Sequence, residues 1–157
     1  MNTTAQSLTL NTRGQYAVMA MVELAKAEGG RPLPLSEIAG NAGISLSYLE
    51  QLIAGMRRHG LVRSYRGPGG GYILGKSIGE IMIADILMAA EDSTPAKRTA
   101  SNSTKPKACA HTNALWNHIG QLLSVTLQQI TLQDVINQNL ESNPHTSKVF
   151  EVLAKTA

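Results

Sequence analysis

At 157 residues the chain has room for one full domain, or a small domain plus a dimerisation element, and too little for two large ones. Hydrophobic residues make up 43% and charged residues 16%, no apolar run approaches the ~20 residues that span a bilayer, and the start lacks a signal peptide's apolar stretch, so a cytoplasmic protein without membrane contact is expected. The net charge of +3 is unevenly placed, with eight Lys/Arg against four Asp/Glu in residues 1–76 and six against seven beyond, and the lone cysteine, Cys109, excludes an intramolecular disulfide framework.

Residues 12–28, TRGQYAVMAMVELAKAE, place Tyr16, Val18, Ala20, Met21, Leu24 and Ala25 at helical spacing before Gly29 and Gly30 stop them, which predicts a first helix. After an RPLP linker, Ser36 is placed to cap SEIAGNA, with Ile38 and Ala39 facing inward and Gly43 ending the turn. Ser45 then opens a third helix whose buried stripe is Leu46, Leu49, Leu52, Ile53 and Met56. The tight AGIS junction makes the pair a helix-turn-helix. On the third helix Ser47, Glu50, Gln51 and Arg57 lie off the stripe. Such side chains suit base-edge contact in a major groove, where Gln pairs with adenine, Ser meets several acceptors and Glu accepts from the cytosine amino group. An ordinary solvated helix face has the same pattern, and the next segment decides between the two.

Gly60 ends that helix, LVRSY and GYILG can pair as strands, and RGPGGG makes the turn between them. Arg66 at the tip is planar, permanently charged and far in sequence from any carboxylate, which suits phosphate or a narrow minor groove. The glycine run is not a nucleotide loop, because the Lys-Ser/Thr ending is absent and the order is hairpin rather than strand then helix. A reading helix followed by a basic hairpin predicts a mainly α fold with a small β-hairpin wing: a winged helix-turn-helix plus a long dimerisation helix. The candidate DNA-binding residues are Ser45, Ser47, Tyr48, Glu50, Gln51, Arg57, Arg66 and Gly67. His59, beside the helix end, favours the C-terminal dipole when protonated.

IADILMAAE, from Ile83 to Glu91, predicts a further helix, and DSTPAKRTASNSTKPKACAH after it reads as a loop whose Lys97, Arg98, Lys105 and Lys107 face solvent or phosphate. Beyond it, TNALWNHIGQLLSVTLQQI carries Leu115, Trp116, Ile119, Leu122, Leu123, Leu127 and Ile130 at three- and four-residue spacing. Pairing with the same helix of a second subunit would bury so long a stripe and would present two reading heads to a palindromic site; packing within its own subunit is the alternative. His118 on this helix is read as structural or as part of the dimer seam, and Thr131 with Asp134 resembles a cap opening TLQDVIN. The tail around Val149, Phe150 and Val152 is assigned no role. The expected organisation is a DNA-binding domain over 8–91, a sensor-type loop over 92–112, a dimerisation helix with a following short helix over 113–140, and a tail over 141–157.

With these elements in this order, the chain resembles the IscR-type winged-helix regulators of the Rrf family, which control iron–sulfur cluster biogenesis genes in bacteria. The resemblance covers about residues 8–140 and rests on TRGQYAVMAM, ISLSYLEQLI, GLVRSYRGPGGGYILGK, IADILMAAE, ALW and ITLQDVI. It implies a homodimeric transcription regulator, a repressor or a dual regulator of the iron–sulfur or redox-responsive type, acting on double-stranded DNA. Ser47, Glu50 and Gln51 would contact bases and Arg66 the groove beside the wing. The alternative is a cluster-independent regulator, or a protein-interaction module signalling through a partner enzyme or the Cys109 thiol. No nucleophile–base or carboxylate pair stands at useful spacing, so no enzyme is expected.

One departure bears on the cofactor. Cluster-sensing members carry three cysteines in the loop and a histidine just before the ALW segment, which together hold a 2Fe–2S cluster. Here that loop offers Cys109, with His111 two residues later and Asn113 directly before Ala114. Asn is a poor substitute for thiolate or imidazole on iron. Cys109 and His111 are the candidate metal ligands, and three readings stay open: an inert or redox-sensitive thiol, an atypical cluster site completed from elsewhere, or a loop that has lost sensing.

Overall fold

The computed structural model describes residues 11–27, 30–92, 110–144 and 146–147, with the side chains of 110–113 outside that description. The elements are α1 (Thr12–Lys26), α2 (Leu35–Ala42), α3 (Leu46–Arg58), β1 (Val62–Tyr65), β2 (Gly71–Leu74), α4 (Ile83–Glu91), α5 (Ala110–Leu127) and α6 (Leu132–Ile136). The expected winged helix-turn-helix with a further long helix is what the chain forms. The positions of Cys109 and of Val149, Phe150 and Val152 lie outside the described residues.

Asn11 starts α1 by accepting from the Gly14 N–H at 2.9 Å, and its Nδ2 donates to Glu91 Oε1 at 2.7 Å, fastening α1 to the end of α4. The buried face of α1 is Gly14, Ala17, Ala20, Met21 and Leu24. Tyr16, Val18 and Ala25, expected on that stripe, sit half-buried at its edges, because the small Ala17 occupies the centre against the neighbouring helices. Ser36 is not the cap of α2. Pro34 is, with φ −61° and ψ 145°; its fixed φ sets the chain extended one residue before Leu35 and places Ser36 inside the first turn.

Gly43, at φ 65°, ends α2, and buried Ile44 leads into α3. Leu49, Leu52, Ile53 and Met56 pack with Met21, Ile38, Leu61, Ile81, Ile86 and Leu132 in the closed core. Leu46, expected with them, is 47% exposed, because at the first helical position no neighbouring element covers the edge of the stripe. The hairpin pairs Val62 with Leu74, Arg63 with Ile73, Ser64 with Tyr72 and Tyr65 with Gly71. Leu33 adds a third rung, exchanging backbone hydrogen bonds with Tyr72 at 2.8 and 2.9 Å. A side chain at Gly71 would collide with the Leu33 carbonyl, so that rung depends on glycine.

Residues 110–112, expected in the loop, are helical, so α5 begins at Ala110. Its stripe divides. Leu127 and Ile130 pack on the chain's own core, whereas Leu115, Trp116, Ile119 and Leu122, with Val125, are exposed in the single chain. The expected Thr131 cap forms a reciprocal capping box: the Asp134 N–H donates to Thr131 Oγ1 at 3.1 Å and the Thr131 N–H to Asp134 Oδ2 at 2.9 Å. The Thr131 N–H, then its hydroxyl and Asn143, hold the Asp134 carboxyl below its ordinary pKa against a smaller opposing effect of burial. The Leu132 N–H donates to the Ile81 carbonyl and the Ile83 N–H to the Ile130 carbonyl, which anchors the base of α5 and α6 beside α4.

Candidate nucleic-acid interface

The sequence of α3 sorts by face. At 100° per residue, Ser47, Gln51, Ala54 and Arg58 align, flanked by Glu50 and Arg57, opposite the core-facing leucines; all six are exposed. Ser45 sits at the N-cap with no side-chain capping bond, leaving its hydroxyl at the front of the helix. Among the described residues Glu50, Gln51 and Arg57 have no recorded hydrogen bond or ion pair, so binding would break no internal contact of theirs.

Tyr48 stands apart from that face. It is half-buried, its ring centroid lies 5.9 Å from that of Tyr16 at 84°, and the Arg13 guanidinium lies 5.4 Å from its centroid. Arg13 in turn donates from Nε to the Ala90 carbonyl at 2.7 Å. This stack braces α3 against α1 and the end of α4. At the other end of α3, Arg58 Nη2 donates to the Asp92 carbonyl at 2.8 Å and His59 Nε2 lies 2.8 Å from Asp92 Oδ2. Both ends of α3 are therefore fastened to the C-terminal end of α4 or its neighbours while the middle faces outward.

The wing continues the cationic surface. Arg66 is exposed at the tip, next to Gly67, whose φ of 103° is one that side chains rarely adopt and that gives the turn its tight reversal. Arg63 and Tyr65 are exposed on β1, Tyr65 at 54%. Residues 45–76 hold five Lys/Arg and one carboxylate, Glu50, so the surface around α3 and the wing is strongly positive. Of the expected DNA-contacting residues, the structure brings Ser45, Ser47, Glu50, Gln51 and Arg57 to one face, Arg66 and Gly67 to the wing tip, and Tyr48 to the flank. Leu46, Arg58, Arg63 and Tyr65 belong to this surface and were not anticipated. Strand alternation within LVRSY was the available signal for Arg63 and Tyr65.

The metal reading fares differently. His111 lies in the first turn of α5, and among the described residues no three His, Cys, Asp or Glu side chains gather where they could hold a metal ion. With one cysteine in 157 residues, a chain cannot supply the thiolates of a conventional 2Fe–2S site, and the residues present do not fit that group. No described helix is long and apolar enough to cross a membrane.

The Rrf2 family, described as "Iron-dependent Transcriptional regulator", matches residues 10–138. The HTH-type transcriptional regulator IscR of Cronobacter sakazakii is 41% identical over 129 residues, spanning 82% of this chain and 80% of that protein, and IscR of Photorhabdus laumondii is 41% identical over 130 residues, spanning 82% and 79%. Among solved structures, T. potens IscR superposes with a TM-score of 0.65 at 34% identity, covering 86% of this chain and 90% of that one. CymR, titled the global cysteine regulator of B. subtilis, superposes with a TM-score of 0.64 at 33% identity, covering 83% and 98%. These relatives are regulators rather than enzymes. A reading helix with its polar face open, a basic wing beside it and similarity over four-fifths of the chain lead to one conclusion: the chain is a DNA-binding transcription regulator and belongs to the Rrf2 family.

Proposed function

We propose that the chain works as a cytoplasmic homodimer that places α3 in the major groove of a palindromic operator and the wing in the flanking minor groove. The supporting observation is the open face of α3 and its wing, where Glu50, Gln51, Arg57 and Arg66 have no recorded partner among the described residues. On this reading Gln51, Ser47 and Glu50 meet base edges, and Ser45 and Arg57 meet phosphates at the two ends of the helix. Arg66 enters the narrow groove, where Gly67 allows close approach, and Tyr48 holds the helix at its angle. The exposed Leu115, Trp116, Leu122 and Val125 support pairing through α5. Gln51→Ala and Arg66→Ala should each weaken operator binding by about 1–3 kcal/mol in a titration at fixed salt. Parent-like affinity for both variants would sink this docking mode.

The second reading concerns the signal. Cys109 as the sole thiol favours regulation without a cluster, through thiol chemistry or a partner protein, and the resemblance to a cysteine regulator supports it. Repression is the simplest output, since a dimer on an operator blocks polymerase. Iron and acid-labile sulfide per chain, measured on protein prepared without oxygen beside a Cys109→Ala variant, test it. Iron in the parent that is lost in the variant would overturn cluster independence and make Cys109, with His111, part of an atypical site.

A further inference from the structure

The outer face of β1 is unaccounted for by α3 and the wing tip. Side chains alternate along a strand, and the register sorts them: Val62 is buried and its cross-strand partners on that face, Tyr72 and Leu74, pack on the core. Arg63 and Tyr65 therefore share the opposite face with Ile73 and Gly71. Both are exposed, Tyr65 at 54%, and neither has a hydrogen bond, ion pair or ring contact recorded among the described residues. An amphipathic ring thus stands between two guanidiniums, Arg63 and Arg66, on one edge of a hairpin.

The spacing gives this edge a partner. Arg63 precedes Arg66 by three residues, about 10 Å of strand at ~3.3 Å per residue. The minor groove of B-DNA is about 7.5 Å deep. A wing whose tip arginine reaches the groove floor therefore carries Arg63 to the level of the rim, where the phosphates lie, with Tyr65 against the sugar between. Tyrosine and arginine are both common donors to phosphate.

We infer that Arg63 and Tyr65 form a second, rim-level contact of the wing, gripping the sugar–phosphate edge of the minor groove and contributing affinity without reading sequence. The inference rests on the proposed entry of Arg66 into that groove. It divides the wing into a tip that senses groove shape and a shaft that binds any duplex.

The test uses the full chain, a duplex selected by the parent protein from a random pool, and a scrambled duplex of equal length. Affinity is followed from about 50 to 200 mM salt. Arg63→Ala should lower the log–log salt slope by about 0.9, so that affinity falls about 3.5-fold less over that range. It should weaken both duplexes alike at low salt and leave their ratio unchanged, while Arg63→Lys keeps the parent slope. Tyr65→Ala should weaken both duplexes with the slope unchanged. Arg66→Ala should lower the ratio. A parent-like slope for Arg63→Ala together with weakened binding by Arg66→Ala would overturn the rim contact and leave the wing docking intact; parent-like behaviour of both would overturn the two together.

Discussion

Along α3 and the wing the open positions are Ser47, Glu50, Gln51, Arg57, Arg63 and Arg66, whereas along α5 they are Leu115, Trp116, Leu122 and Val125. The first surface is hydrated and stands on a closed core of Leu49, Leu52, Ile53 and Met56, so it is complete before any partner arrives. The second leaves large apolar side chains in water at a cost of roughly 25 cal/mol per Å² of covered area forgone. One end of the molecule is built to receive a polar polymer. The other is finished by burying its stripe, and on the reading proposed above a second copy does so.

The sharpest way to break this contrast is to make the α5 surface polar. Trp116→Asp with Leu122→Asp should convert the chain to a monomer in sedimentation analysis and leave the melting of the reading head near that of the parent. Operator affinity should fall on the order of 100-fold, the avidity lost when two heads are no longer joined. A dimer that survives both changes would mean that α5 is not the seam.

At the other end, Gly71→Ala should disturb the hydrated surface from beneath. The new methyl meets the Leu33 carbonyl, so the Leu33–Tyr72 rung must open or shift, costing about 1–3 kcal/mol by denaturant unfolding. The Leu33 and Tyr72 amides should lose protection from hydrogen exchange, and DNA binding should weaken although no charged residue has changed. Unaltered exchange at both amides would show that the wing is held some other way.

Much of this contrast was legible in the residues. The hydrophobic period located α1 and α3, the span of α4 matched IADILMAAE from Ile83 to Glu91, and RGPGGG between two short apolar runs announced the wing. Periodicity tells which face turns inward but not what lies over it. For that reason Leu46 was expected in the core, and the α5 stripe was read as one surface although Leu127 and Ile130 pack at home. Ser36 was read as a cap because capping preference is local, while the constraint that decides the start of α2 sits two residues earlier, in Pro34. The Leu33–Tyr72 rung joins residues far apart in sequence, and the Tyr16–Tyr48–Arg13 stack links two helices. No neighbouring-residue pattern encodes either.

Where α5 returns to the head, the contrast can be sharpened on a smaller scale. Thr131→Ala removes the hydroxyl that caps α6 and should cost about 1 kcal/mol. The carboxylate on the other side of that box gives the smallest effect and the one with a pH signature. Asp134 has a folded pKa below its ordinary value, chiefly through the Thr131 N–H. Its contribution to stability is therefore fully present above the carboxylate's unfolded pKa and is lost as pH falls through the lowered folded value. Asp134→Asn should be less stable than the parent at neutral pH, and the two unfolding curves should converge in acid. Because the carboxylate is partly exposed, solvent screens the effect and it should stay smaller than that of the cap. A gap between the two proteins that stays constant down to acid pH would mean that the side-chain amide loses packing rather than charge, and that the junction between head and stem is held by shape.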